Sequence, residues 1–131
     1  MKAVILAGGK GARLKPFTDA LPKPMLPIGT KPFLEIQISH LKKFGFDEVI
    51  LAISYMKGNI VHYFGDGKGL GIKISYSEEK KPLGTAGAIK KAAHDLKETF
   101  VVLVGDGLAD IDFHDLVSFH KKAHAAGTMV V

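Results

Sequence analysis

The chain contains no cysteine, which removes a disulfide framework, a thiolate metal site and a cysteine nucleophile together. It has a single arginine, Arg13; the other seventeen of its eighteen Lys-plus-Arg residues are lysines. No apolar run is long enough to cross a bilayer. The opening MKAVILAGG places a lone lysine and six apolar residues ahead of two glycines, too short and wrongly flanked for a signal peptide. A cytoplasmic protein with no membrane partner is expected. Internal repeats, linkers and low-complexity tracts are also missing, as is any DNA- or RNA-reading motif. The net charge of +5 comes from scattered lysines with little aromatic interleaving, which disfavours a nucleic-acid partner and suits small anionic ligands.

What is present is a chain of 131 residues, 47% hydrophobic and 24% charged, enough for one soluble domain over residues 1–131. Apolar runs alternate with stretches of helical period. Lys2 to Ala7 is a near-continuous apolar run, expected as a central strand covered on both faces. A long loop, Gly8 to Lys31, follows and is closed by Pro32. With Pro16, Pro22, Pro24 and Pro27 it is expected to form neither helix nor inner strand, and a loop of that length in a small domain is usually functional. A helix is expected from Pro32 to Gly45 with Leu34, Ile38 and Leu41 inward, then a strand over Glu48 to Ile53. Ile60, Val61 and Phe64 indicate a short helix ended by Gly65-Asp66-Gly67, and Ile72, Ile74 and Tyr76 a half-exposed strand near a sheet edge. The next helix starts near Thr85, read as its cap, and turns Ile89, Ala92, Ala93 and Leu96 inward. Phe100 to Val104 forms a further strand. Asp112 caps a last helix that buries Leu116, Phe119 and Ala123 and stops at Gly127, and Thr128 to Val131 opens a fifth strand. The expected fold class is α/β, a Rossmann-like three-layer sandwich around a mainly parallel sheet. Ligands of such sheets bind beyond the carboxyl ends of the strands.

Three sequence features fall at those ends. Gly8-Gly9-Lys10-Gly11-Ala12-Arg13 directly follows the first strand, and its glycines allow backbone N–H groups to close on an anion. The dinucleotide fingerprint fails because Leu14 stands where a third Gly is needed, and no Walker A spacing occurs in the chain. A tight turn remains the alternative for the glycines alone. Arg13 carries a planar fork suited to phosphate in a chain that otherwise uses lysine, the alternative being a solvated surface arginine. Lys23 sits between Pro22 and Pro24, a fixed cation suited to developing phosphate charge. Asp106 ends the fourth strand, as a metal ligand or as a turn aspartate. Asp110 reads as solvated, and the six histidines, His40, His62, His94, His114, His120 and His124, as helix-surface residues.

Leu6 to Thr18 (LAGGKGARLKPFT) with Pro22 to Ile28 (PKPMLPI) resembles the signature of the sugar-phosphate nucleotidyltransferase family. Lys31 to Glu35 resembles the helix start that follows that signature, Pro82 to Gly87 (PLGTAG) the family's base-recognition turn, and Gly105-Asp106 its metal site. The motifs keep the family's order along the whole chain, which reaches only the N-terminal, nucleotide-binding half of the transferase domain. The family's sugar-binding residues and a second Mg²⁺-binding aspartate come later than the equivalent of Val131. The resemblance implies that Leu6, Ala7, Gly8, Gly9 and Gly11 wrap a nucleoside triphosphate. Arg13 would grip the departing pyrophosphate, and Lys23 would neutralise charge at the reacting phosphates. It further implies that Glu79, Pro82, Gly84, Thr85 and Gly87 lie near the nucleoside and that Asp106 holds Mg²⁺. The implied activity is transfer of a nucleoside monophosphate to a sugar 1-phosphate. A catalytically incomplete nucleotide-binding module and an enzyme with a non-sugar phosphate acceptor are the alternatives.

A strand at Thr128 to Val131 would leave an open edge and a partly covered face, so a homo-oligomer is expected. Light scattering tests this: a strict monomer across micromolar concentrations would contradict it.

Overall fold

The computed structural model describes all residues from Met1 to Val131. In chain order the elements are β1 (Lys2–Leu6), α1 (Phe17–Ala20), β2 (Pro27–Ile28), β3 (Lys31–Pro32), α2 (Phe33–Lys43), β4 (Glu48–Ile53), α3 (Lys57–Phe64), β5 (Lys73–Glu78), α4 (Gly84–Ala92), β6 (Val101–Val104) and α5 (Phe113–Lys122). Four strands make one parallel sheet in the order β5-β4-β1-β6, with Val4 of β1 opposite Ile50 on one side and Val102 on the other. β1 is therefore interior, as its continuous apolar run requires, and β5 is an edge, as its alternating pattern requires.

The two faces of the sheet separate by side-chain parity. Ala3, Ile5, Val49, Leu51, Ile53, Ile74 and Val101 join Leu34, Ile38 and Leu41 of α2, Ile60 and Phe64 of α3, and Phe113 of α5 in the larger core. Val4, Ile50 and Ala52 point the other way and meet Ala88 and Ala92 of α4 in the smaller one. Because α4 packs over β1, β4 and β5, the same face of β6 stays open, and Val102 and Val104 are 36% and 53% exposed.

Several expectations are corrected. The Gly8 to Lys31 segment is not wholly irregular: it contains the single helical turn α1, and β2 and β3 form a short antiparallel hairpin pairing Pro27 with Pro32. Proline tolerates such two-residue edges because little ladder bonding is required of it. Thr85 does not cap α4. The helix starts one residue earlier, after Leu83, with no side-chain bond from its N-cap, and Thr85 is exposed within its first turn.

In α5, Asp112 does cap: its carboxylate accepts from the N–H groups of His114 and Asp115. The buried stripe, however, is Phe113, Leu116 and Val117, with His120 half-buried, whereas Phe119 is 63% exposed and Ala123 is also outside. The spacing 113, 116, 117, 120 is one helical face. The stripe through 116, 119 and 123 lies beside it and attracts attention only because Phe119 is more apolar than His120. Phe113 is 1% exposed and packs edge-on against His40, Phe44 and Phe46, a burial that stabilises by about 1.5–3 kcal/mol. Gly127 does not end this helix either. It stops at Lys122, and His124 adopts the left-handed conformation at φ 47°.

Thr128 to Val131 forms no strand; Met129 and Val131 are fully or nearly fully exposed, and no neighbouring strand supplies ladder hydrogen bonds there. His40 is half-buried and not a freely exposed surface residue. Its ring lies 5.1 Å from that of Phe44, one turn further along the chain, and its Nε2 is buried without a partner.

Candidate functional site

β1 and β6 are neighbours, while the chain leaves β1 toward β4 and β5 on the opposite side. The strand order thus reverses between β1 and β6, and the loops at their carboxyl ends border one crevice, the usual ligand position in open parallel sheets. A cleft of about 250 Å³ opens there, lined by Gly9, Gly11, Ala12, Arg13, Leu14, Lys23 and Asp106.

The β1 side is built from backbone. The N–H groups of Gly8, Gly9, Lys10 and Gly11 donate to no backbone carbonyl, leaving a run of free main-chain donors. The loop that carries them is nonetheless fixed. Ser54 Oγ donates to Gly8 O at 2.6 Å, and the buried Thr18 hydroxyl donates to Gly11 O at 2.9 Å. Tyr55 in turn donates to Thr18 O at 3.2 Å. Gly11 has φ 60°, and a Cβ there would stand 2.9 Å from both Lys23 Cβ and Thr18 Cγ2. A glycine is thus required by conformation and by space. One 3₁₀ turn, Ala12–Leu14, then presents Arg13.

Lys23 begins a second 3₁₀ turn anchored by the buried Pro22, Pro24 and Met25. Its Nζ lies 2.5 Å from Asp106 Oδ2, an ion pair joining residues 83 apart in sequence, with 30% and 46% of the two side chains exposed. The Asp106 loop is held against β1 by the Gly105 N–H, which donates to Leu6 O at 2.8 Å, and a Cβ on Gly105 would come within 2.6 Å of that oxygen.

Of the residues picked from the sequence, Gly9, Gly11, Arg13, Lys23 and Asp106 meet in the cleft. Leu6 ends β1 and Ala7 and Gly8 follow it, and none of the three lines the cleft. Glu79, Pro82, Gly84, Thr85 and Gly87 belong to the turn after β5 and the start of α4, and none of them lines the cleft. Glu79 lies near Gly8: a Cβ on Gly8 would stand 3.6 Å from Glu79 Oε1, while Oε2 accepts from the Leu83 N–H at 3.2 Å. Glu79 thus bonds the residue that precedes α4, while the first turn of the helix has no side-chain cap. Beside it, Glu78 is paired with Lys57 at 2.5 Å, and that ammonium keeps its carboxyl below the usual range.

The cleft is rich in positive charge, with Arg13 and Lys23 facing a single carboxylate. No cluster of three or more His, Cys, Asp or Glu side chains could hold a metal ion by itself. One half-exposed carboxylate suits Mg²⁺, which commonly takes one or two protein carboxylates and completes its shell with water and substrate phosphates. No helix is long and apolar enough to cross a membrane.

The nucleotidyl transferase family model matches residues 2–131. The chain belongs to the nucleotidyl transferase family. The UTP–glucose-1-phosphate uridylyltransferase of Synechocystis is 40% identical over 142 residues, covering 99% of this chain and 37% of that protein. The D-glycero-alpha-D-manno-heptose 1-phosphate guanylyltransferase of Campylobacter jejuni is 53% identical over 116 residues, covering 88% of this chain and 52% of that one. The crystal structure of HddC from Yersinia pseudotuberculosis complexed with GMP-PN matches with a TM-score of 0.82 at 35% identity, over 91% of this chain and 53% of that chain. The chain thus spans about half, or less, of the length of these relatives.

Three residues of this nucleotidyl transferase chain went unassigned from sequence. Thr18 lies inside the quoted signature without a role, yet it holds Gly11. Ser54 follows β4 and holds Gly8, and nothing in its surroundings in the sequence marks it out. Gln37 is a polar residue between Leu34 and Leu41 on the buried face of α2, and a polar side chain at such a position is itself a readable signal.

The loop geometry makes a contrast between two glycines. Gly11→Ala places a side chain at a left-handed position in contact with Lys23 and is expected to cost about 1–2 kcal/mol in chemical denaturation. At Gly9 a Cβ meets nothing within 4 Å, and Gly9→Ala is expected to unfold close to wild type. Equal midpoints for the two variants would contradict the described loop.

Proposed function

We propose that this chain binds a nucleoside triphosphate in the cleft between β1 and β6 and serves as the nucleotide-binding half of a sugar-phosphate nucleotidyltransferase. The observation that carries this is the run of unpaired N–H groups from Gly8 to Gly11 beside the chain's only guanidinium and the Lys23 ammonium. Backbone donors and a planar cationic fork together match polyphosphate oxygens.

In the proposed reaction an oxygen of the sugar 1-phosphate attacks the α-phosphorus. The bond from that phosphorus to the bridging oxygen breaks, and the electron pair leaves with pyrophosphate. The nucleophile is already anionic at neutral pH, so no general base is needed, and positioning with charge neutralisation carries the chemistry. Arg13 would hold the departing pyrophosphate, and Lys23, drawn from Asp106 to the phosphates, would offset charge at the reacting centre. Asp106 would hold Mg²⁺, which when bound supplies further neutralisation of phosphate charge. Glu79, Pro82, Gly84, Thr85 and Gly87 would border the nucleoside.

A second possibility has its own support. In that second reading the chain, which spans 37% and 52% of two relatives, is a nucleotide-binding module without turnover of its own. These relatives include a uridylyl- and a guanylyltransferase, so the family alone does not choose the base.

Calorimetric titration with each nucleoside triphosphate and Mg²⁺ tests the binding. A charged hydrogen-bonding group contributes about 1.5–3 kcal/mol, so Arg13→Ala is expected to weaken the preferred nucleotide by about 10- to 100-fold. Equal affinity in the two proteins would count against the assigned phosphate loop. Pyrophosphate release on adding a sugar 1-phosphate distinguishes turnover from binding alone.

A further inference from the structure

The loop that carries Asp106 is held from a second direction, by a residue with no place in the reaction just described. Gln37 stands on α2 at 3% exposure, among the apolar residues of the larger core. Its Nε2 donates to Val104 O at 2.9 Å and to Gly107 O at 2.6 Å. These two carbonyls bracket Gly105 and Asp106, so one amide ties together both ends of the turn that presents the carboxylate. Only the NH₂ end of the amide can face two carbonyls, because the reversed orientation would set three acceptor oxygens against one another.

The other end of the same side chain has a cost. Gln37 Oε1 is buried with no hydrogen-bond partner, a penalty set against the two bonds that Nε2 makes. What glutamine supplies here, and an apolar residue of the same size would not, is the pair of hydrogen bonds to the Asp106 turn. The backbone bond from Gly105 to Leu6 fixes the turn to the sheet, and Gln37 fixes it to α2. Between them the carboxylate has little freedom except rotation of its own side chain.

We propose that Gln37 is a positioning residue that sets the Asp106 carboxylate for a phosphate-bound divalent cation. This rests on the role of Asp106 proposed above. Residues that orient a metal ligand typically change metal affinity about 10- to 100-fold when lost.

The test uses Mn²⁺ as the probe, with free ion measured by electron paramagnetic resonance in the presence of saturating nucleoside triphosphate. Gln37→Met keeps the size of the side chain and removes both bonds. It is expected to weaken Mn²⁺ binding by about 10-fold, with nucleotide affinity in the absence of metal unchanged, because Gly9, Gly11 and Arg13 are untouched. Should Gln37→Met fail to fold, Gln37→Asn, one methylene too short to reach both carbonyls, is expected to show the same loss. Folded variants with wild-type Mn²⁺ affinity would overturn the proposal. Asp106→Ala separates the two claims. If it lowers Mn²⁺ affinity and the Gln37 variants do not, the positioning role alone is wrong. If it leaves Mn²⁺ affinity at the wild-type value, the metal role of Asp106 is wrong and the Gln37 inference falls with it.

Discussion

The parallel pairing of β6 with β1 is the constraint on which the candidate site depends. β1 alone ends in a glycine loop with unpaired N–H groups, and β6 alone ends in an aspartate turn. Their registered pairing, Leu6 opposite Val104, and the Gly105 N–H on Leu6 O bring the two ends to one crevice. A side chain on Gly105 would collide with that oxygen, so the pairing also fixes a glycine immediately before Asp106. Lys23 then closes the crevice from a third direction. Its two flanking prolines and the buried Met25 limit where its ammonium can go. The ion pair with Asp106 neutralises two groups that the proposed reaction uses separately, so an arriving polyphosphate competes with the carboxylate for the lysine, while a divalent cation competes with the lysine for the carboxylate.

Much of this was legible in the sequence where apolar pattern and backbone chemistry agree. The unbroken run of β1 marked it as interior, and the alternation in β5 marked it as an edge. Asp112 followed by an amphipathic segment marked a capped helix start, and the structure has both bonds of the cap. Gly9, Gly11, Arg13, Lys23 and Asp106 of the cleft were among the residues picked out, because glycines, a sole arginine and a lysine between prolines are unusual enough to notice without coordinates, whereas Ala12 and Leu14, which also line it, were not.

What was not legible depended on contacts distant in sequence. The buried face of α5 was displaced by one position, since Phe119 looks like a core residue until Phe113 is seen locked among three rings. Thr128 to Val131 has strand-like composition, but a strand exists only where a neighbour supplies a ladder, and none stands beside that segment. Thr85 does not cap α4, whose first turn has no side-chain cap, and Glu79 instead accepts from the N–H of Leu83 just before the helix. Gln37 could have been noticed as a polar residue on an apolar stripe, but its two acceptors lie 67 and 70 residues away.

Polyphosphate bound where β1 and β6 end, by main-chain amides, Arg13 and Lys23, is the proposal on which the other roles rest. The most direct measurement is a crystal structure of the protein soaked with a nucleoside triphosphate and Mg²⁺. Phosphate density is expected against the Gly8 to Gly11 amides, with the Arg13 guanidinium on its oxygens and Lys23 turned from Asp106 toward it. Ordered nucleotide elsewhere on the molecule, with this cleft vacant and the Lys23–Asp106 pair intact, would contradict it.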